Sequence, residues 1–187
     1  MPQLILYACP VGPLAQQIAA YFEISRQRCD PNAAHAYMPH CTLTGFFEDD
    51  ERAIALYTRL LASILLDYRE SIPEPAIAIQ QLTFRADWHG LELTAAWLKQ
   101  LTCDFAAQAT SPTRCQPLRL KEWLHLSLAY DFDPAYGAVL KRLATDLIDL
   151  SAPVSWHLRL YQRSADNVWR CHSSQVLVEG PGEGVRG

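Results

Sequence analysis

The chain lacks most of the short motifs that announce an enzyme class. None of its cysteines, Cys9, Cys29, Cys41, Cys103, Cys115 and Cys171, forms a Cys-x-x-Cys pair, so a zinc ribbon or thioredoxin-type site is not expected. No His-x-x-x-His or matching carboxylate spacing is present, and neither metal nor cofactor is expected. A Gly-rich phosphate loop and a Gly-x-Ser-x-Gly elbow are also missing, which removes P-loop nucleotide hydrolysis and elbow-type serine hydrolysis. Basic excess is lacking too: 16 Lys and Arg stand against 20 Asp and Glu, a net charge of -4. That argues against duplex DNA as a partner, which needs a basic face. A pocket for one nucleotide depends on local charge and remains open. No apolar run approaches membrane-spanning length, so no membrane partner is expected. "MPQLILYACP" is short and has no basic start, so no secretory signal is read. These absences predict a cytoplasmic protein with free thiols, acting as a monomer.

What is present suits a packed core. Half of the 187 residues are hydrophobic and 19% are charged. "QLILYAC" reads as a strand closed by Pro10, and Pro13 opens a helix with Leu14, Ile18, Tyr21 and Phe22 on one face. "DPNAAHAYMP" reads as loop. "PHCTLTGFF" reads as a strand near 39–47. An acidic turn then starts a helix striped by Ile54, Tyr57, Leu61, Ile64, Leu65 and Tyr68. "AIAIQQLTF" and "GLELTA" read as strands around an "ADWHG" turn, and "AWLKQLTCDFAAQA" as a helix. In the later half a strand ending "WLHLSLAY" is followed by a helix capped by Asp133 before Pro134. Two strands around "ADN" complete the chain. From His40 the order is strand, helix, strand, strand, and from His125 it is the same. The predicted fold is α+β: two pseudo-symmetric lobes of antiparallel sheet, helices packed outside, and a central cleft. Residues 1–179 are expected to form this single unit, with 180–187 a flexible tail.

Two strands carry chemistry. Alternation puts His40, Thr42 and Thr44 on one face of the first, with Cys41 and Leu43 behind them. It puts His125 and Ser127 on one face of the second, with Leu124, Leu126 and Leu128 behind. An imidazole can take or give a proton near neutral pH, and a hydroxyl can donate to an oxyanion. Two such strands across a groove supply a base, an acid and two oxyanion donors. That set suffices for in-line hydrolysis of a phosphodiester without metal. His172-Ser173-Ser174 repeats the spacing, but polar neighbours mark it as a surface or edge pattern. His35, His89 and His157 read as loop, turn and polar strand residues.

"HCTL" and "HLSL" match the signature of the 2H phosphoesterase superfamily, two His-φ-Thr/Ser-φ strands with φ apolar. More closely, "LYACPVGPLAQQI", "AHAYMPHCTLTGFF" and "LKEWLHLSLAYDF" resemble, in order and spacing, the phosphoesterase domain of the TULA family, also called suppressors of T-cell receptor signalling. The resemblance implies a bilobal fold with a cleft between lobes, and metal-independent hydrolysis of 2′,3′-cyclic nucleotides to a monophosphate. It assigns the catalytic pair to His40 and His125, and phosphate binding to Thr42 and Ser127. Tyr130 would contact substrate, and Lys121 and Arg163 resemble basic positions of the family; solvated surface charge is the plainer reading of those two cations. Tyr7 and Phe46 could stack a base, although core packing explains both more simply. No ubiquitin-associated, SH3 or phosphatase-like domain is read here, so receptor-signalling roles do not carry over. The substrate expected is a small nucleotide or an RNA terminus. The alternatives are a 2′,5′-linked oligonucleotide, an ADP-ribose cyclic phosphate, or a binding module that senses cyclic nucleotides without turnover. Which histidine is the base, and so whether a 2′- or a 3′-phosphate forms, stays open on the sequence.

Overall fold

A computed structural model describes residues 1–180. The first apolar run forms β1 (Gln3–Val11). It is buried on both faces: Leu4, Leu6 and Ala8 join the main core, and Ile5, Tyr7 and Cys9 a second cluster opposite. A strand covered on both faces needs no polar alternation, which is why this one reads as a continuous apolar run. It also continues past Pro10, where pairing is on one side only.

α1 (Pro13–Arg28) has Pro at its start, as expected, and buries Leu14, Ile18, Tyr21 and Phe22. A helix of this length is marginal in isolation; each fully buried apolar side chain contributes about 1.5–3 kcal/mol, so packing holds it. The strand expected over 39–47 is broken into β2 (Cys41–Thr42) and β3 (Phe47–Glu48). Between them Leu43 N–H and Thr44 N–H both reach Leu6 O, and Thr44 Oγ1 accepts from Leu6 N–H at 3.0 Å. Thr44 is therefore fully buried, with its hydroxyl oxygen bonded to the backbone. It borders the same small cavity as His40 and Thr42, as alternation predicts, but its oxygen is engaged by the backbone.

α2 (Ile54–Ser71) buries its expected stripe behind a short turn capped by Asp50. β4 (Ala78–Phe84) and β5 (Trp88–Thr94) form a hairpin. Trp88 and His89 thus belong to a strand and not to the turn expected for them. α3 (Ala96–Gln108), β6 (His125–Tyr130), α4 (Gly137–Leu147), β7 (Ser155–Arg163) and β8 (Trp169–Val178) follow. Asp133 accepts from Ala135 N–H at 2.8 Å, the cap expected before α4.

The strands form one open antiparallel sheet in the order β4-β5-β6-β2-β1-β7-β8, with β3 also on β1. The halves of the chain do not build separate sheets. The first half's hairpin, β4-β5, lies beside β6, while the second half's hairpin, β7-β8, lies on the β1 side with β2. The four helices supply buried residues to the core on the Leu4-Leu6-Ala8 face, with α1 against α4 and α2 against α3. The opposite face is left for a site. All six cysteines are free. Among the described residues no helix is long and apolar enough to cross a membrane. The tail expected over 180–187 lies outside the described residues, apart from Gly180, whose N–H reaches Ser155 Oγ at 2.9 Å.

Candidate active site

β2 and β6 meet through one register pair, Cys41 opposite Leu126. Both residues belong to the core beneath the helices. Antiparallel pairing then sets His40 opposite Ser127 and Thr42 opposite His125, on the face away from the helices. Each imidazole thus stands across from the other strand's hydroxyl. All four line one cavity of about 340 Å3. A second cavity of about 230 Å3 adjoins it and shares Tyr37, His40, Thr42, His125 and Tyr130.

The two histidines are held by the same device. His40 Nδ1 lies 2.7 Å from Met38 O, and His125 Nδ1 lies 3.1 Å from Trp123 O. A carbonyl only accepts, so Nδ1 carries the hydrogen in both rings and Nε2 is the atom left for a ligand. An aromatic ring packs on each: Tyr7 on His40 and Trp123 on His125, both with centroids 3.9 Å apart. Burial pushes His40 down to about 4; the Met38 carbonyl opposes that shift and His125 adds slightly to it. Burial also lowers His125, opposed by the Trp123 carbonyl and assisted by the charges of Lys121 and Arg85. Both rings therefore favour the neutral state in the empty site.

The hydroxyls differ. Ser127 Oγ accepts from Trp88 Nε1–H at 2.9 Å, which leaves its own hydrogen to donate. Trp88 reaches it by folding over Gly90, where a Cβ would come within 2.4 Å of both the indole and Leu126 O. The β5–β6 register shifts at the same point, between His89 and Gly90. Among the described residues Thr42 Oγ1 has no hydrogen-bond partner, and Thr42 lines the cavity.

Of the other sequence candidates, Tyr130 lines both cavities, and burial holds its hydroxyl up at about 12. Tyr7, Phe46 and Lys121 line the smaller one. Tyr7 is 1% exposed and serves mainly as the surface under His40. Arg163 is not brought to either cavity; its guanidinium stacks over Phe46 at 4.2 Å and donates to Gln3 Oε1 at 2.8 Å. The remaining histidines are engaged elsewhere: His35 with Ser25 and Asn32, His172 with Gln162, and His89 buried against Phe84 and Phe132.

Sequence reading missed Tyr37, Asp87, Trp88, Asp131 and Arg119, which line one cavity or the other. Arg119, Lys121, Trp123 and His125 fall at steps of two, a signal available in "RLKEWLH". Trp88 gives no such signal, because "ADWHG" reads as a turn. Among the described residues no group of three or more His, Cys, Asp or Glu is placed to hold a metal ion.

An α+β protein that brings two His-x-hydroxyl strands to one cavity is what fold and site define. No protein-family model matches the chain. It is 30% identical over 164 residues to Ubiquitin-associated and SH3 domain-containing protein B of Mus musculus, 86% of this chain and 25% of that protein. It is 32% identical over 200 aligned residues to Ecdysteroid-phosphate phosphatase of Drosophila melanogaster, 86% of this chain and 26% of that protein. Ubiquitin-associated and SH3 domain-containing protein A of Mus musculus matches at 30% over 163 residues, 84% of this chain and 25% of that protein. The similarity to the TULA family read from the motif blocks is thus shown over most of this chain. The chain spans about a quarter of the length of the curated relatives it matches.

Proposed function

We propose that the chain is a metal-independent phosphodiesterase that opens 2′,3′-cyclic phosphates, on a nucleotide or an RNA end, to a monophosphate. One observation carries the reading: two imidazoles, each tied through Nδ1 to a backbone carbonyl, share a cavity with two hydroxyls. His40 is the base, since burial keeps it neutral most strongly. Its Nε2 takes a proton from water as the water oxygen bonds to phosphorus. His125 is the acid. Its Nε2–H goes to the departing ribose oxygen as that P–O bond breaks. The anionic phosphate restores the proton affinity that burial removes from His125 in the empty site. Thr42 and Ser127 donate to the non-bridging oxygens as charge grows there. The product is a 2′- or a 3′-monophosphate according to which ribose oxygen faces His125. Exchange with solvent then moves a proton off His40 and onto His125.

In this reading the sheet's two wings, β4-β5-β6 and β2-β1-β7-β8, are the family's lobes. Their strands meet where β2 pairs with β6, and residues 1–179 act as one unit. The similarity to Ecdysteroid-phosphate phosphatase supports hydrolysis of a phosphate ester in general and offers a second reading, a phosphatase acting on an ecdysteroid phosphate.

The test is an assay panel on the purified, exhaustively chelated chain, with products identified by mass and NMR. It contains 2′,3′-cyclic nucleotides, a 2′,5′-linked dinucleotide, an ADP-ribose cyclic phosphate and an ecdysteroid phosphate. Turnover of the cyclic nucleotides to monophosphates is expected. Turnover of the ecdysteroid phosphate alone establishes the phosphatase reading, and binding without turnover the sensing module. Loss of activity on chelation, restored by added zinc or magnesium, contradicts the two-histidine mechanism.

A further inference from the structure

The two adjoining cavities differ in charge. The larger is bordered by Trp88 and by the carboxylates Asp87 and Asp131. The smaller contains no carboxylate and is bordered by Arg119 and Lys121. Both cations are exposed, and neither is in the ion pairs of the described residues, which join Arg26 to Glu23, Arg52 to Asp50 and Arg85 to Glu92. In a protein with net charge -4, two unpaired cations flanking the histidine pair are a local exception.

The backbone holds them there. Lys121 N–H donates to Leu43 O at 3.0 Å, Gly45 N–H donates to Arg119 O at 2.7 Å, and Thr44 bridges Leu120. The segment 119–121 is thus paired to the chain just after Thr42, and alternation sends Arg119 and Lys121 to the same side. Arg119 lies flat over Gly45, where a Cβ would stand 3.2 Å from Nε. The glycine leaves room for the guanidinium beside the cavity.

Ribose geometry matches this division. With a 2′,3′-cyclic phosphate resting on the histidines and hydroxyls, C1′ and C4′ rise on opposite sides of the 2′,3′ edge. The base leaves over one side and C5′ over the other. Both cavities carry aromatic rings, so charge is what divides them: the carboxylates suit the amino groups of a base, and the unpaired cations suit a phosphate. We infer that the Arg119–Lys121 cavity is a second phosphate subsite, which takes the 5′-phosphate of a nucleoside 2′,3′-cyclic phosphate, free or as the link to the rest of an RNA strand. This rests on the cyclic phosphodiesterase reading above for the orientation of the ribose. The substrate it selects is a doubly anionic nucleotide, in preference to a bare cyclic nucleoside phosphate.

The test separates binding from turnover. Calorimetry compares adenosine 3′-monophosphate with adenosine 3′,5′-bisphosphate on the full chain. The bisphosphate should bind at least about tenfold tighter, the scale of one or two charge-assisted hydrogen bonds. The advantage should shrink as salt is raised and vanish in the Arg119→Ala/Lys121→Ala double variant. If that variant fails to fold, Arg119→Gln and Lys121→Gln, tested singly, should each remove part of it. Equal affinities in the wild-type chain overturn the subsite whether or not the chain is an enzyme. In the kinetic arm, adenosine 2′,3′-cyclic phosphate is compared with its 5′-phosphorylated form and with a dinucleotide ending in the cyclic phosphate. Higher kcat/KM for either 5′-bearing form supports the subsite, and a dinucleotide advantage identifies an RNA end as the source. Turnover of all three at one rate overturns the subsite but leaves the phosphodiesterase reading standing. No turnover of any, with the bisphosphate advantage intact, removes the enzyme reading and leaves the second subsite in place.

Discussion

His40 Nδ1 lies 2.7 Å from the carbonyl oxygen of Met38, two residues before it in the chain. His125 repeats the relation with Trp123. One local bond does two things: it selects the tautomer with Nε2 unprotonated, and it stops the ring from turning about its χ angles. An imidazole so held loses little entropy when it meets a substrate. The two rings should therefore be poor substitutes for one another and hard to replace.

His40→Ala and His125→Ala should each lower kcat by about a hundredfold or more, the scale of a lost general base or acid. Both residues line a cavity on the open face and lie outside the core beneath the helices, so circular dichroism and the melting transition should stay near wild type. His172→Ala should leave turnover close to wild type, since that ring is bonded to Gln162 outside the cavity. Near wild-type turnover from either of the first two variants would take that histidine out of the mechanism.

Thr42→Ala and Ser127→Ala should cost about ten- to a thousandfold, chiefly in kcat, because a hydrogen bond to a developing oxyanion strengthens along the reaction. Trp88→Phe keeps a ring over Gly90 but deletes the Nε1–H that holds Ser127 Oγ. Its loss should be smaller than that of Ser127→Ala and absent in the Ser127→Ala background. Steady-state kinetics of this double-mutant cycle decide the point, and additive losses would place Trp88 outside the serine's service.

Gly90→Ala should destabilise the fold by about 1–3 kcal/mol, the usual cost of forcing atoms into a packed site. The added Cβ would meet both Leu126 O and the Trp88 indole. Urea unfolding should show the loss, and kcat should fall with it because Trp88 must move off Ser127. Wild-type stability in this variant would show that the strand can shift at no cost.

Unperturbed histidines near ~6.5 place the activity optimum near neutrality. Burial in this site lowers both, His40 to about 4. A base works above its pKa and an acid works below its own, so lowering both moves the bell of kcat/KM to the acid side. The optimum should lie between about 4 and 6.5. The same burial acts on stability. The unfolded chain binds a proton near ~6.5 where folded His40 does not, so this contribution is fully present above that pH. It is lost as pH falls toward the folded value of about 4. Rate profiles and pH-dependent melting test the two halves separately. An optimum at or above neutrality would show that His40 is far less desolvated in solution.

Several features were legible in the sequence because they depend on neighbours along the chain. Period two placed His40 with Thr42 and His125 with Ser127 on one face, and put Cys41, Leu126 and Leu128 in the core. Period 3.6 found the buried faces of α1 and α2, α3 and α4 were legible as helices, and Asp133 before Pro134 marked a cap. These rules need only backbone geometry and the cost of leaving apolar surface in water.

Tertiary structure decided everything that depends on partners far along the chain. Thr44 has the same period as His40 and Thr42, yet its oxygen is bonded to Leu6 N–H, a group no local rule brings near it. The hairpins β4-β5 and β7-β8 are distributed across the halves because sheet order is set by long-range pairing, not by sequence order. Trp88 became the fixed partner of Ser127 only because Gly90 let its ring fold across the strand. Arg163, alike in type to Arg119, was drawn onto Phe46 and Gln3 and away from the cavity, while pairing with 43–45 carried Arg119 into it. The sequence by itself determined which side chains share a strand face, since that follows from covalent geometry. Which faces meet, and which charges are left unpaired beside the histidines, was decided by contacts between residues tens to more than a hundred positions apart, which no periodicity encodes.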